Sequence, residues 1–267
     1  MYTASGFVVG LLVGITGVGG GSLMTPLLVF LFGFKPAVAV GTDLIYAAIT
    51  KTVGVSVHHG KHGSVDWKIV GLLALGSLPS AGVTLYALKV LMANGKEVSG
   101  TMTFSLGIAL LLTACAMLVR SVLLRKAAKE VILDDSLSNL NNCGRFSPRW
   151  EKFATIFTGL VLGVLVTLSS VGAGALGTVA LIFLYPRMTT LKIVGTDLAH
   201  AIPLTAVAGL GHLSLGNFDQ ELLINLLLGS VPGIWIGSHL SAKIPEHYLR
   251  PVLASILLLI GVKFVLQ

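Results

Sequence analysis

Long stretches without an ionisable acid or base dominate the chain, and the few charges fall between them. Residues 4–34, 69–88, 98–119, 153–186 and 222–242 contain no Asp, Glu, Lys or Arg, and a helix needs only about 20 such residues to cross the hydrocarbon core of a bilayer. Three further stretches carry isolated charges: 37–58 holds Asp43 and Lys51, 193–213 holds Asp197, and 249–266 holds Arg250 and Lys263 near its ends. The pattern predicts eight apolar segments and an all-α polytopic membrane protein. The segments do not alternate in polarity over about ten residues, as the strands of a membrane β-barrel do. The first run is long, lacks a basic leading region and recurs in the second half, so it reads as part of the fold and not as a cleavable signal.

The segments form two matched sets. Gly41-Thr42-Asp43-Leu44 recurs as Gly195-Thr196-Asp197-Leu198, and Val18-Gly19-Gly20-Gly21-Ser22-Leu23 answers to Val171-Gly172-Ala173-Gly174-Ala175-Leu176. Gly6 and Gly10 match Gly159 and Gly163, Asp66 matches Asp219, and Gly76-Ser77-Leu78-Pro79 matches Gly229-Ser230-Val231-Pro232. Glycines, Asp, Thr and Pro held in one register over such a length predict a duplication. Residues 1–119 form the first membrane repeat, 120–152 a linker and 153–267 the second repeat.

Composition narrows the class further. With 54% hydrophobic and 11% charged residues and a mean hydropathy of +0.91, the chain cannot cover a water-exposed surface of its size. The net charge is +7, and the linker holds seven basic residues, Arg120, Arg125, Lys126, Lys129, Arg145, Arg149 and Lys152, against four acidic ones, which orient the protein with that stretch in the cytoplasm. This topogenic reading displaces nucleic-acid binding. Cys115 and Cys143 sit at different depths and suggest neither a disulfide nor a metal pair.

The first segment of each repeat is too long for a simple span. Its charge-free run would measure about 45–50 Å as a helix, against a core of roughly 30 Å, and glycines interrupt it near the middle. It is either one broken, tilted span or a re-entrant hairpin that leaves on the side it entered. Counting Lys and Arg by loop, the re-entrant arrangement puts thirteen on the linker's side and four opposite, whereas eight full crossings give ten and seven. The positive-inside rule therefore favours six full spans, two re-entrant segments and inverted repeats.

The candidate chemistry lies at those interruptions. Unwound glycine-rich backbone at membrane depth is tolerated where protein buries it or a cavity exposes it, and a half-helix beginning after such a break aims free N–H groups and a positive dipole end at an anion. Gly19, Gly20, Gly21 and Ser22 in the first half, and Ser169, Ser170, Gly172 and Gly174 in the second, are candidate substrate-binding positions, together with Thr42, Thr196 and Lys51. Gly6, Gly10 and Gly14 fit simple helix packing instead. Lys51 has three readings: it neutralises an anionic substrate, pairs with Asp43, or snorkels to the interface. Asp43 and Asp197 read as helix caps at a kink or as proton carriers, and His200, three residues beyond Asp197, is the intramembrane group that titrates nearest neutrality in its unperturbed state. His58, His59 and His62 read as an interfacial loop and not as a metal site. No hydrolase-like Ser/His/Asp spacing is present, and neither an enzyme activity nor a cofactor is expected.

The pattern G-x-x-x-G-x-x-x-G-x-x-G-V-G-G-G-S-L-x-x-P from Gly6 to Pro26, with A-V-G-T-D-L from Ala39 and V-D-W from Val65, resembles the sulfite exporter TauE/SafE family of bacterial membrane transporters. The resemblance covers residues 6–115 and 156–265. It implies an inner-membrane carrier with repeated halves that moves small sulfur-containing anions such as sulfite or organosulfonates, generally outward. The second half departs from the pattern, with Ala173 where the first has Gly20 and Val179 where it has Pro26. The expected partners are a small anion and the lipid bilayer, with no nucleic acid. Homo-oligomerisation is left open.

Overall fold

Helices that are apolar around their whole circumference bury their polar side chains inward and turn large apolar ones out, the reverse of a water-soluble protein. The computed structural model describes residues 2–16, 21–58, 64–95, 98–133, 148–240 and 246–266. Trp67, Leu75, Tyr86, Phe153, Phe157, Trp235 and Leu259 are exposed, while Asp43, Lys51, Asp197, His200 and His212 are buried. Only a hydrocarbon solvent makes that distribution favourable.

Among the described residues there are ten helices and no strand. The first charge-free run is split into α1 (Tyr2–Thr16) and α2 (Gly21–Phe30), and the matching run into α6 (Pro148–Ser169) and α7 (Leu176–Leu184). The others are α3 (Pro36–His58), α4 (Trp67–Ala93), α5 (Ser99–Leu133), α8 (Thr190–Ser214), α9 (Gln220–Leu240) and α10 (Glu246–Leu266). Five of them are long and apolar enough to cross a membrane over 67–93, 99–119, 149–169, 190–214 and 220–237. α5 does not stop where the apolar run stops: it continues through Arg120, Arg125, Lys126 and Lys129, so the basic stretch begins as a helical extension.

Side chains near the two ends of each broken pair touch. Tyr2, at the start of α1, stacks with Phe32 at 5.2 Å and Phe34 at 5.7 Å, just beyond the end of α2. Near the start of α6, the Thr155 hydroxyl shares a 2.7 Å hydrogen bond with the Tyr185 hydroxyl, one residue past α7.

Glycines set which helices meet. A Cβ on Gly6 or Gly10 would collide with the backbone of Leu226 or Ser230 on α9, and one on Gly233 or Gly237 with Phe7 or Leu11 on α1. On the other side Gly76 meets Ile156, and Gly159 and Gly163 meet Leu73 and Ser77, along α4 and α6. Ascending numbers meet ascending numbers in both sets, so α1 runs parallel to α9 and α4 parallel to α6. α3 and α8 cross antiparallel at the centre, with Gly209 against Ile45 and Gly41 against His212 and Asn217. Each hairpin of one half is therefore clasped by a helix of the other.

Candidate functional site

Asp43 and Asp197 sit well inside α3 and α8, neither at an end of its own helix. Both are 0% exposed. Each carboxylate accepts from a threonine hydroxyl on the short arm of its own half's hairpin: Thr25 on α2 donates to Asp43 Oδ2, and Thr178 on α7 donates to Asp197 Oδ2 at 2.8 Å. Gly177 gives Asp197 room, since a Cβ there would strike the carboxylate. A buried carboxylate is tolerated only when such donors and a counter-charge replace its water.

Lys51 supplies the charge. It is 5% exposed, its ammonium donates to the carbonyl oxygen of Ala173 at 3.1 Å, and it lies within electrostatic reach of Asp197 and Asp43. It does not snorkel. Its bond goes to a backbone carbonyl, and among the described residues it closes no ion pair with either carboxylate; through that bond it ties α3 to the break between α6 and α7.

That break is built from unusual backbone. Ser170, Gly172 and Gly174 all have positive φ (58°, 118° and 119°), and only for the glycines is this region free of cost. Ser170 is 3% exposed, and its hydroxyl interacts with the Asp43 carboxylate. Ser169 turns back to its own chain, donating to Leu165 O at 2.6 Å and accepting from Val171 N–H at 3.1 Å. Leu176 N–H returns to Gly172 O at 3.0 Å as α7 begins.

The remaining predicted positions separate. Thr42 accepts from Asp219 N–H at 3.0 Å, and Thr196 accepts from Asp66 N–H at 2.9 Å. Each Gly-Thr thereby grips the start of a spanning helix in the opposite half. Asp66 in turn caps α4 through Lys68 and Ile69 N–H and pairs with Lys192 at 3.6 Å. His200 is fully buried; its Nε2 shares a 2.8 Å hydrogen bond with Ser77 Oγ, its Nδ1 has no hydrogen bond, and Lys51 is its charged neighbour. Gly21 and Ser22 open α2, whereas Gly19 and Gly20, with His59 and His62, lie outside the described residues.

Four participants were not singled out from sequence: Thr25, Thr178, Ser77 as the partner of His200, and His212, whose Nε2 donates to Thr167 O at 2.9 Å. The constant offset between halves holds the clue to the first two, because it equates Thr25 with Thr178.

A buried lysine within electrostatic reach of two carboxylates stands against a strained helix break inside a shell of outward apolar side chains, and an ionisable residue so placed in a membrane protein marks function by default. Residues 2–264 match the sulfite exporter TauE/SafE profile. The chain belongs to the sulfite exporter TauE/SafE family. It is 41% identical over 261 residues to the probable membrane transporter protein YjnA of Bacillus subtilis, covering 97% of each chain. It is also 26% identical over 263 residues to the probable membrane transporter protein YdhB of the same organism, covering 95% of this chain and 97% of that one. A third relative, the probable membrane transporter protein MJ0441 of Methanocaldococcus jannaschii, is 28% identical over 275 residues, covering 96% of this chain and 91% of its own. No solved structure matches. This TauE/SafE protein is thus a multi-pass membrane transporter.

Proposed function

We propose that the protein exports a small sulfur-containing anion, sulfite or an organosulfonate, across a bacterial inner membrane by alternating access. The observation that carries the reading is the Asp43–Lys51–Asp197 centre, buried against the break at 170–175. Repeats 1–119 and 153–267 are inverted, joined by the cytoplasmic stretch 120–152, and their hairpins re-enter. The ring contacts of Tyr2 and the Thr155–Tyr185 bond support re-entry. The parallel α1–α9 and α4–α6 pairs support an arrangement in which Lys68, the linker, Lys192 and Arg250 share one side.

The anion lies against the helix breaks, held by the backbone of Gly21, Ser22, Ser170, Gly172 and Gly174, with Ser169 beside it. Lys51 passes to it from the Ala173 carbonyl. Each added negative charge is expensive beside two buried carboxylates. A proton therefore accompanies the anion, on Asp43, Asp197 or His200, and keeps the charge of the centre constant. Alternating access moves one hairpin-and-helix unit against the other around this point.

Flux of labelled anions from proteoliposomes tests the reading. Sulfite or an organosulfonate is expected to move faster than in protein-free vesicles. For a permanently ionised organosulfonate, which does not itself titrate, lowering the pH on the loading side from 8 to 6 is expected to raise the rate several-fold. No flux for sulfite, sulfate, thiosulfate or organosulfonates, together with no anion-dependent thermal shift, would sink the proposal. Wild-type flux in Lys51→Ala would remove that residue from the mechanism.

A further inference from the structure

The two faces of α2 have different neighbours. Thr25 and Leu28 share one face and are fully buried, whereas Leu27 and Phe30 on the opposite face line a groove with Val8 of α1 and Ile256 and Ile260 of α10. The groove holds about 290 Å³, and every residue lining it is Val, Leu, Ile, Pro or Phe. It opens toward the membrane, with Val8 53% and Ile256 43% exposed. Its walls are tied elsewhere: α1 packs its glycines on α9, and Gly261 of α10 meets Gly107 of α5. With 10 residues, α2 is only about 15 Å long against a core of roughly 30 Å, and it leaves the space unfilled.

One end of this apolar groove carries a charge. Lys263, exposed and in the last turn of α10, lies one turn past Ile260, and its ammonium sits 3.9 Å from the centre of the Phe30 ring. Phe264 meets the same ring edge-on at 6.5 Å. Among the described residues Lys263 closes no ion pair. The cation–π contact holds the ammonium at the groove's end and leaves its N–H donors open to an anion. From Leu253 to Ile260 the α10 wall rises about 10 Å. A ligand that is apolar over that length and anionic at one end matches both features.

We infer that the groove seats an acyl chain of an anionic phospholipid, with the headgroup phosphate against Lys263. A second copy of the chain fits less well, because a twofold contact centred on Lys263 brings two ammonium groups together with no carboxylate to separate them. The site lies across α2 from Thr25, so it is distinct from the Asp43 centre and independent of which anion is carried.

The test uses full-length protein in detergent micelles, titrated with phosphatidylglycerol or with phosphatidylcholine of the same chains. Phosphatidylglycerol is expected to raise the melting temperature by at least ~3 °C, saturably, with a midpoint about fivefold below that of phosphatidylcholine, the effect of one lysine's charge on an anionic lipid. Glycerol phosphate, which has no chains, is expected to do nothing. Lys263→Gln, a surface change, is expected to fold and to respond equally to the two lipids. Ile256→Trp, which fills the groove, is expected to lose the saturable response to both. Equal midpoints in wild type, a Lys263→Gln that keeps the preference, an Ile256→Trp with the wild-type response, or glycerol phosphate acting as phosphatidylglycerol does would each overturn the inference. So would a disulfide between copies carrying their one cysteine at position 256 in phosphatidylglycerol vesicles, because a second chain would then occupy the groove. These readouts need no transport, so this inference and the transport reading fail separately.

Discussion

At the scale of single residues the polar interior is a set of matched threonine–carboxylate bonds with one unmatched lysine. Thr25→Val and Thr178→Val remove a hydroxyl from a buried carboxylate without changing the side chain's shape. Each is expected to cost about 1.5–3 kcal/mol, the worth of a hydrogen bond to a charged group, read as a lower melting temperature in micelles. Lys51→Ala removes a buried ammonium whose field both carboxylates feel and is expected to lower the melting temperature, part of which loss a second substitution, Asp43→Asn, returns. Ser170 separates strain from chemistry. Its φ of 58° predicts that Ser170→Gly melts higher than Ser170→Ala by an amount worth about 1 kcal/mol. Much of this was legible in sequence, because an aspartate or lysine within an apolar run signals a function whatever the fold. The threonines were harder to find. In a membrane helix a threonine hydroxyl commonly bonds its own preceding turn, as Thr50 and Thr205 do here, and nothing in the residue type marks Thr25 as different.

At the scale of elements, the glycines divide sharply by what faces them. Gly10 and Gly159 lie where a side chain would enter a neighbouring helix backbone, while Gly71 and Gly82 on α4 face open space. Gly10→Leu or Gly159→Leu is expected to cost about 3 kcal/mol or more through overpacking and to lower the yield of folded protein. Gly71→Ala and Gly82→Ala are expected to be neutral or to stabilise by about 0.5–1 kcal/mol, since alanine suits a helix better. The sequence identifies packing glycines without naming their partners. With apolar residues on every side, these helices have no polar face from which orientation can be inferred. For the same reason Thr42 and Thr196, read as substrate positions because they precede the aspartates, are found clasping Asp219 and Asp66 in the opposite half. Their pairing follows from the crossing of α3 and α8, which no local spacing encodes.

For the whole molecule, the proposed inverted topology puts position 2 outside the cell and the 187–192 loop inside. Single cysteines at these positions, introduced after Cys115 and Cys143 are replaced, are expected to react with a membrane-impermeant thiol reagent in intact cells at position 2 and only after lysis at 187–192. The opposite result would refute the inverted arrangement. The exchange of hairpins between halves also bears on how the protein is made. α1 finds its clasp only in α9, which leaves the ribosome more than two hundred residues later; at about 5–20 residues per second that is a wait on the order of 10–45 s. Meanwhile its glycine-lined flank has no protein partner in the membrane. A ribosome that stalls between the halves therefore leaves α1 without the helix its glycines pack against.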